Sequence, residues 1–154
     1  MALGGYDLFL RILLLAGLLV PVWTDLKEKR LSNEYLLFLF WTGLFLAAAG
    51  CAGQGASSLA GAAAGFFAGG GTGFSCRLLT RRGIGAGDVK LLAVAGIYLG
   101  AVGILEVFAG AMLLAGGVCI AGLVTGRTAP GQKIPLAPFV WLAVLFSGGR
   151  RIFL

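Results

Sequence analysis

The sequence predicts an all-α polytopic membrane protein, a bundle of about six transmembrane helices, and three observations predict it. The chain of 154 residues is 59% hydrophobic and only 12% charged, with a mean hydropathy of +0.99. A soluble domain carries about 25% charged and about 45–50% apolar residues, so folding into water would leave too little polar surface. The apolar residues fall in runs long enough to cross lipid. The basic residues fall in short clusters between those runs, on one side of the predicted bundle. One membrane domain over residues 1–154 is expected, with no internal repeat or linker. The 27 glycines have no three-residue period, which excludes collagen; small residues fit close helix contact in lipid.

The first apolar segment runs from about Tyr6 to Thr24, the second from about Tyr35 to Gly50, the third from about Ala56 to Cys76. The first lacks the basic start of a signal peptide and is followed by further spans, so it is expected to be retained. The run from Asp88 to Thr125 is too long for one span of about 20 residues. It should hold the fourth and fifth segments, reversing within Gly100 to Glu106. The sixth, about Ile134 to Phe146, is short and contains Pro135 and Pro138, which allows a partial or re-entrant helix.

Charge orients this arrangement. Lys27, Lys29 and Arg30 follow segment one; Arg77, Arg81, Arg82 and Lys90 follow segment three; Arg127 and Lys133 follow segment five. Together they are nine of the 12 basic residues, and the opposite loops, near Cys51 to Gly55 and Gly100 to Glu106, have none. The rule that basic loops face the cytoplasm predicts the N-terminus outside and these loops inside. Arg150 and Arg151 disagree, unless segment six stops short of crossing.

Composition also narrows the chemistry. The net charge of +6 forms no soluble basic face, so no nucleic-acid partner is expected. Cys51, Cys76 and Cys119 are far apart and make no CxxC pair. Histidine is absent, which removes Ser-His catalysis, HExxH zinc chemistry and haem ligation by His. Neither metal nor cofactor is expected.

Acid–base chemistry then falls to six acids: Asp7, Asp25, Glu28, Glu34, Asp88 and Glu106. Asp25 ends segment one and Asp88 begins segment four, so the predicted topology brings both to the cytoplasmic membrane face. Two carboxylates meeting in a partly dry site share one proton. The ionised member can deprotonate water while the protonated member polarises a peptide carbonyl. Each aspartate alone also has a plain reading: Asp25 as an interfacial charge, Asp88 as a helix cap after the glycine-rich stretch Gly83–Gly87. Asp7 and Arg11, four apart, can pair on one helical face. Glu106 is expected on the side away from the two aspartates, and Glu28 and Glu34 in solvated loops. Trp23, Tyr35, Trp41 and Trp141 fit interfacial belts.

The stretch Gly85-Ala86-Gly87-Asp88-Val89-Lys90-Leu91-Leu92 resembles the GxGD motif of the type IV prepilin and preflagellin peptidases. Asp25-Leu26-Lys27-Glu28-Lys29-Arg30-Leu31-Ser32-Asn33 resembles that family's first aspartate motif, and Ile134-Pro135-Leu136-Ala137-Pro138-Phe139 its Pro-rich final helix start. The resemblance runs from about Asp25 to Phe139. It implies a membrane aspartic endopeptidase of the prokaryotic cytoplasmic membrane, with Asp25 and Asp88 as the catalytic pair. The substrate would be a prepilin-like membrane protein with a basic leader and an apolar helix, cut on the cytoplasmic side just after a glycine. Gly85 and Gly87 would let the backbone approach substrate and give Asp88 freedom; Lys90 and Asn33 would support the site through hydrogen bonds. Ser32 and Ala137 stand where Pro and Gly are expected. The chain begins almost directly with segment one, as the short form without the methylating region does, so methylation is not expected.

Three other functions compete. A small ion or proton transporter subunit would place its acids near mid-membrane and show inverted repeats. A catalytically inactive assembly scaffold would need neither aspartate. A serine–lysine pair would have to use Ser32 with Lys27 or Lys29, at a spacing that suggests no activation.

Overall fold

The computed structural model describes residues 3–28, 33–79, 85–126 and 136–152. Among the described residues the regular structure is helical: α1 (Leu3–Glu28), α2 (Asn33–Gln54), α3 (Ser57–Leu79), α4 (Ala86–Val124) and α5 (Ala137–Ile152). Each of the first three helices extends past the apolar run that announces it. Asp25, Lys27 and Glu28 continue the last turn of α1, because hydropathy marks where lipid ends and helical hydrogen bonding continues beyond it. Pro21 lies inside α1 without ending it, as membrane helices tolerate.

The helix ends are local chemistry. Gly55 has φ 71 and donates its N–H to Cys51 O at 3.0 Å, so α2 stops at a left-handed glycine and α3 starts two residues on. Gly126, with φ 66, ends α4 in the same way and donates to Leu123 O at 3.2 Å. Threonine hydroxyls inside the helices bond to the preceding turn, Thr42 to Phe38 O at 2.8 Å and Thr72 to Ala68 O at 2.7 Å. Such bonds satisfy these donors within their own helix.

The fourth helix is broken at Gly100, where φ is 70 and ψ is 176, a conformation essentially reserved for glycine. The chain reverses there. A Cβ placed on Gly69 would fall on Leu92 O and lie 3.0 Å from Ile104 Cγ1. In a straight helix Leu92 and Ile104 would be about 18 Å apart along the axis. The run from Asp88 to Thr125 is thus two helical rods turned at the first residue of the stretch expected to hold the reversal. Ile104 has already returned beside Leu92, so Glu106, two residues further, does not lie at the far end from Asp88 as expected. It lies on the path back towards it.

Helix α3 sits against both rods of α4. Gly65, Gly69 and Gly73 repeat every four residues and are buried, and their missing side chains let the backbones touch. A Cβ on Gly65 would fall on Gly96 O, and one on Gly96 would fall on Gly65 O. One on Gly73 would lie 3.1 Å from Leu92 Cδ1 and 3.4 Å from Val89 Cα. Rising numbers in α3 meet falling numbers in the first rod, so the two are antiparallel.

The core surrounds that first rod. Leu91 to Tyr98 are buried without interruption, with Leu14 and Leu18 of α1, Leu36 and Leu39 of α2, and Val140 and Val144 of α5 packed into the same cluster. Two side-chain bonds pin the outer helices: Tyr98 Oη donates to Leu39 O at 2.7 Å, and Trp141 Nε1 donates to Leu15 O at 3.1 Å.

Outside, the surface is apolar. Phe45 and Phe67 are 74% exposed and Leu113 78%. Helices α2, over Asn33–Cys51, and α4 are long and apolar enough to cross a membrane, and only 22% and 11% of their most apolar stretches are buried. Leu8–Thr24 and Ala137–Ser147 are shorter apolar stretches. A soluble core helix hides its apolar face; these present it outward, as a membrane protein does.

Candidate active site

Four helix ends gather at one end of the molecule. Helix α1 meets α2 where Leu39 Cδ2 lies 2.6 Å from the place a Cβ on Gly17 would take. Four residues separate the two helices, so the end of α1 and the start of α2 lie near each other. The start of α4 joins them through Lys90 Nζ, which donates to Asn33 Oδ1 at 2.8 Å across 57 residues of sequence. Gly73 against Val89 brings the last part of α3 to the same level.

Asp25 occupies the last turn of α1; its side chain lies outside the described residues, as do those of Asp7 and Glu28. The Asp7–Arg11 pair therefore lies outside the description, and so do Lys29, Arg30, Ser32, Arg81, Arg82, Arg127, Lys133, Ile134 and Pro135.

Asp88 occupies the first turn of α4 and is half-buried. It is the third helical residue, not the cap. Gly85 is the cap residue, in extended backbone with φ −66 and ψ 150. Asp88 Oδ2 reaches back to accept the Gly85 N–H at 3.2 Å, which satisfies an orphan donor of the helix start. The free amides there make this end of the helix attractive to negative charge.

Neither Gly85 nor Gly87 adopts positive φ; Gly55, Gly100 and Gly126 are the described glycines that do. What glycine supplies at position 85 is space: a Cβ there would lie 2.9 Å from Asp88 Oδ2. Gly87 is the second residue of α4.

Lys90 and Asn33, each named separately by its motif, meet one another. No motif marks the supports behind them, the Tyr98–Leu39 bond and the Gly65–Gly96 contact. A repeat of glycines every four residues was the available signal for the second. Among the described residues no group of His, Cys, Asp and Glu could hold a metal ion. A groove of about 520 Å³ lies away from Asp88, between the second rod of α4 and α5, and is lined by Glu106, Gly110, Leu113, Ala143, Phe146 and Ser147.

An all-helical membrane protein with an aspartate in the first turn of a helix opened by glycines is a recognisable class, and comparison with known proteins agrees. The chain belongs to the Type IV leader peptidase family, matching it over residues 12–120, a span that contains both aspartates. It is 32% identical over 139 residues to the "Prepilin leader peptidase/N-methyltransferase" of Bacillus subtilis (strain 168), covering 87% of this chain and 52% of that protein. The chain thus spans about half the length of that relative. No solved structure matches it.

Proposed function

We propose that this protein is a membrane aspartic endopeptidase that removes the basic leader from type IV prepilin-like precursors at the cytoplasmic face of a prokaryotic cytoplasmic membrane. Asp25 and Asp88 are its catalytic pair. The observation that carries this reading is the family match over residues 12–120, which includes the helix end bearing Asp25 and the helix start bearing Asp88. In its support, those two helix termini share one end of the bundle.

In this reading the chain crosses the membrane as about six helical rods, with its N-terminus outside and its aspartates at the cytoplasmic side. The basic residues of the inner loops support that orientation. The ionised aspartate takes a proton from a water molecule, whose oxygen attacks the scissile carbonyl. The protonated aspartate donates a hydrogen bond to the carbonyl oxygen as it gains charge. The tetrahedral intermediate collapses by breaking the C–N bond. The leaving amine takes up a proton, and one proton is again shared by the pair. The step uses water and two carboxylates alone.

The test is cleavage of a prepilin-like precursor in detergent or membranes. Asp25→Asn and Asp88→Asn keep shape and remove charge, and each should lower the rate by about 10²–10⁴-fold or more in a folded protein. Full cleavage by either variant would remove that residue from the mechanism. Absence of cleavage by the unaltered chain across several leaders would turn the reading towards an assembly scaffold or a transporter subunit.

A further inference from the structure

We infer that Lys90 and Asn33 form a clamp that sets the approach of Asp25 to Asp88, with Lys90 acting through its hydrogen bond and not through its charge. The inference rests on the peptidase reading above and assigns the pair a positioning role within it.

Three observations carry it. Lys90 follows Asp88 by two positions in one helix, and side chains two apart on a helix do not face each other. The Lys90 ammonium is engaged elsewhere, at 2.8 Å from Asn33 Oδ1. Asn33 is the first residue of α2, and the four residues that separate it from Glu28 span at most about 17 Å even fully extended over five steps. Holding Asn33 therefore restrains the end of α1, where Asp25 sits. The close contact between α1 and α2, Gly17 against Leu39, lies about two turns away, and Val22 packs against the core about one turn away, so the clamp acts on the last turn of α1.

The chemistry of the clamp fits its place. Asn33 offers a neutral carbonyl, so it binds the ammonium without adding a further carboxylate to an end that already holds Asp25, Glu28, Glu34 and Asp88. Lysine has a long flexible stem that reaches between helices while its own helix keeps Asp88 aimed elsewhere. Both residues are exposed, so the bond adds little to overall stability; its effect lies in geometry, and an error of about 1 Å in a reacting pair can cost about 10²-fold in rate.

Two measurements test this together. In cleavage kinetics, Asn33→Leu and Lys90→Met should each lower kcat by about 10–100-fold with KM nearly unchanged, and the double variant should be no slower than the worse single one. Lys90→Arg, which still donates, should recover most of the rate. In a chain with Cys51, Cys76 and Cys119 changed to Ala, Asp25→Cys and Asp88→Cys should be joined by a short thiol cross-linker, and Asn33→Leu should slow that joining several-fold. Unchanged cross-linking with Asn33→Leu, or a slow Lys90→Met beside a fully active Asn33→Leu, overturns the clamp and leaves the peptidase reading standing. Failure to cross-link with the clamp intact, together with full cleavage by Asp25→Asn and Asp88→Asn, overturns the peptidase reading and the clamp with it.

Discussion

The two rods of α4 have much the same composition and opposite surroundings. Before Gly100, residues Leu91 to Tyr98 are all buried, so protein surrounds the rod on every side. After it, Gly103, Ile104, Val107 and Ala111 are the buried positions, and none follows Ala111 before the helix ends at Val124. Leu113 and Val124 are 78% and 82% exposed. Hydropathy cannot separate the rods, because a leucine against lipid and a leucine against protein are equally apolar. The difference is packing: the rod that carries Asp88 is encased, and the other turns much of its surface outward.

The contrast is most exposed to refutation at Leu92, which is 0% exposed. Leu92→Ala should cost about 2–5 kcal/mol in a reversible unfolding assay in detergent micelles. A cost near zero would mean the first rod is not encased. Next comes Gly65→Ala, whose added methyl would fall on Gly96 O. Separation of α3 from α4 should cost about 1–3 kcal/mol and lower the midpoint of the same transition. Gly100→Ala sharpens the comparison differently. Nothing lies within 4 Å of its missing Cβ, so about 1–3 kcal/mol would reflect backbone conformation alone. Retained stability there would mean that the chain can turn without a left-handed residue. The smallest effect belongs to Leu113→Ala, at about 0.5 kcal/mol or less. A loss as large as that of Leu92→Ala would place a protein partner on the second rod.

Much of this was legible beforehand. The apolar runs marked each helix, and the position of the break followed from a run too long for one span with glycines at its middle. The motif residues Asp88, Gly85 and Lys90 were legible one by one. Their relations were not. That Lys90 meets Asn33, and that Gly85 is small to clear the Asp88 carboxylate, depend on which face of a helix turns where, and apolar runs carry almost no facial signal. Glu106 was misplaced for a related reason. The turn was assumed to lie at the far surface, whereas Gly100 sits beside Gly65, well inside the length of α3. The sixth segment was expected to start at Ile134, which lies outside the described residues, and α5 begins at Ala137.

The contact between Gly65 and Gly96 is reciprocal, each backbone occupying the space the other's side chain would need. Two helices joined in this way behave like a keyed shaft: they can tilt, but sliding by one residue would drive Ala64 or Phe66 into a carbonyl. Asp88 stands about 12 Å along the axis from that key, so its depth is set by where the key engages. On the peptidase reading proposed above, that depth would choose the bond that is cut partly by length, and inserting one residue between a precursor's leader and its apolar helix should move the cut along the precursor.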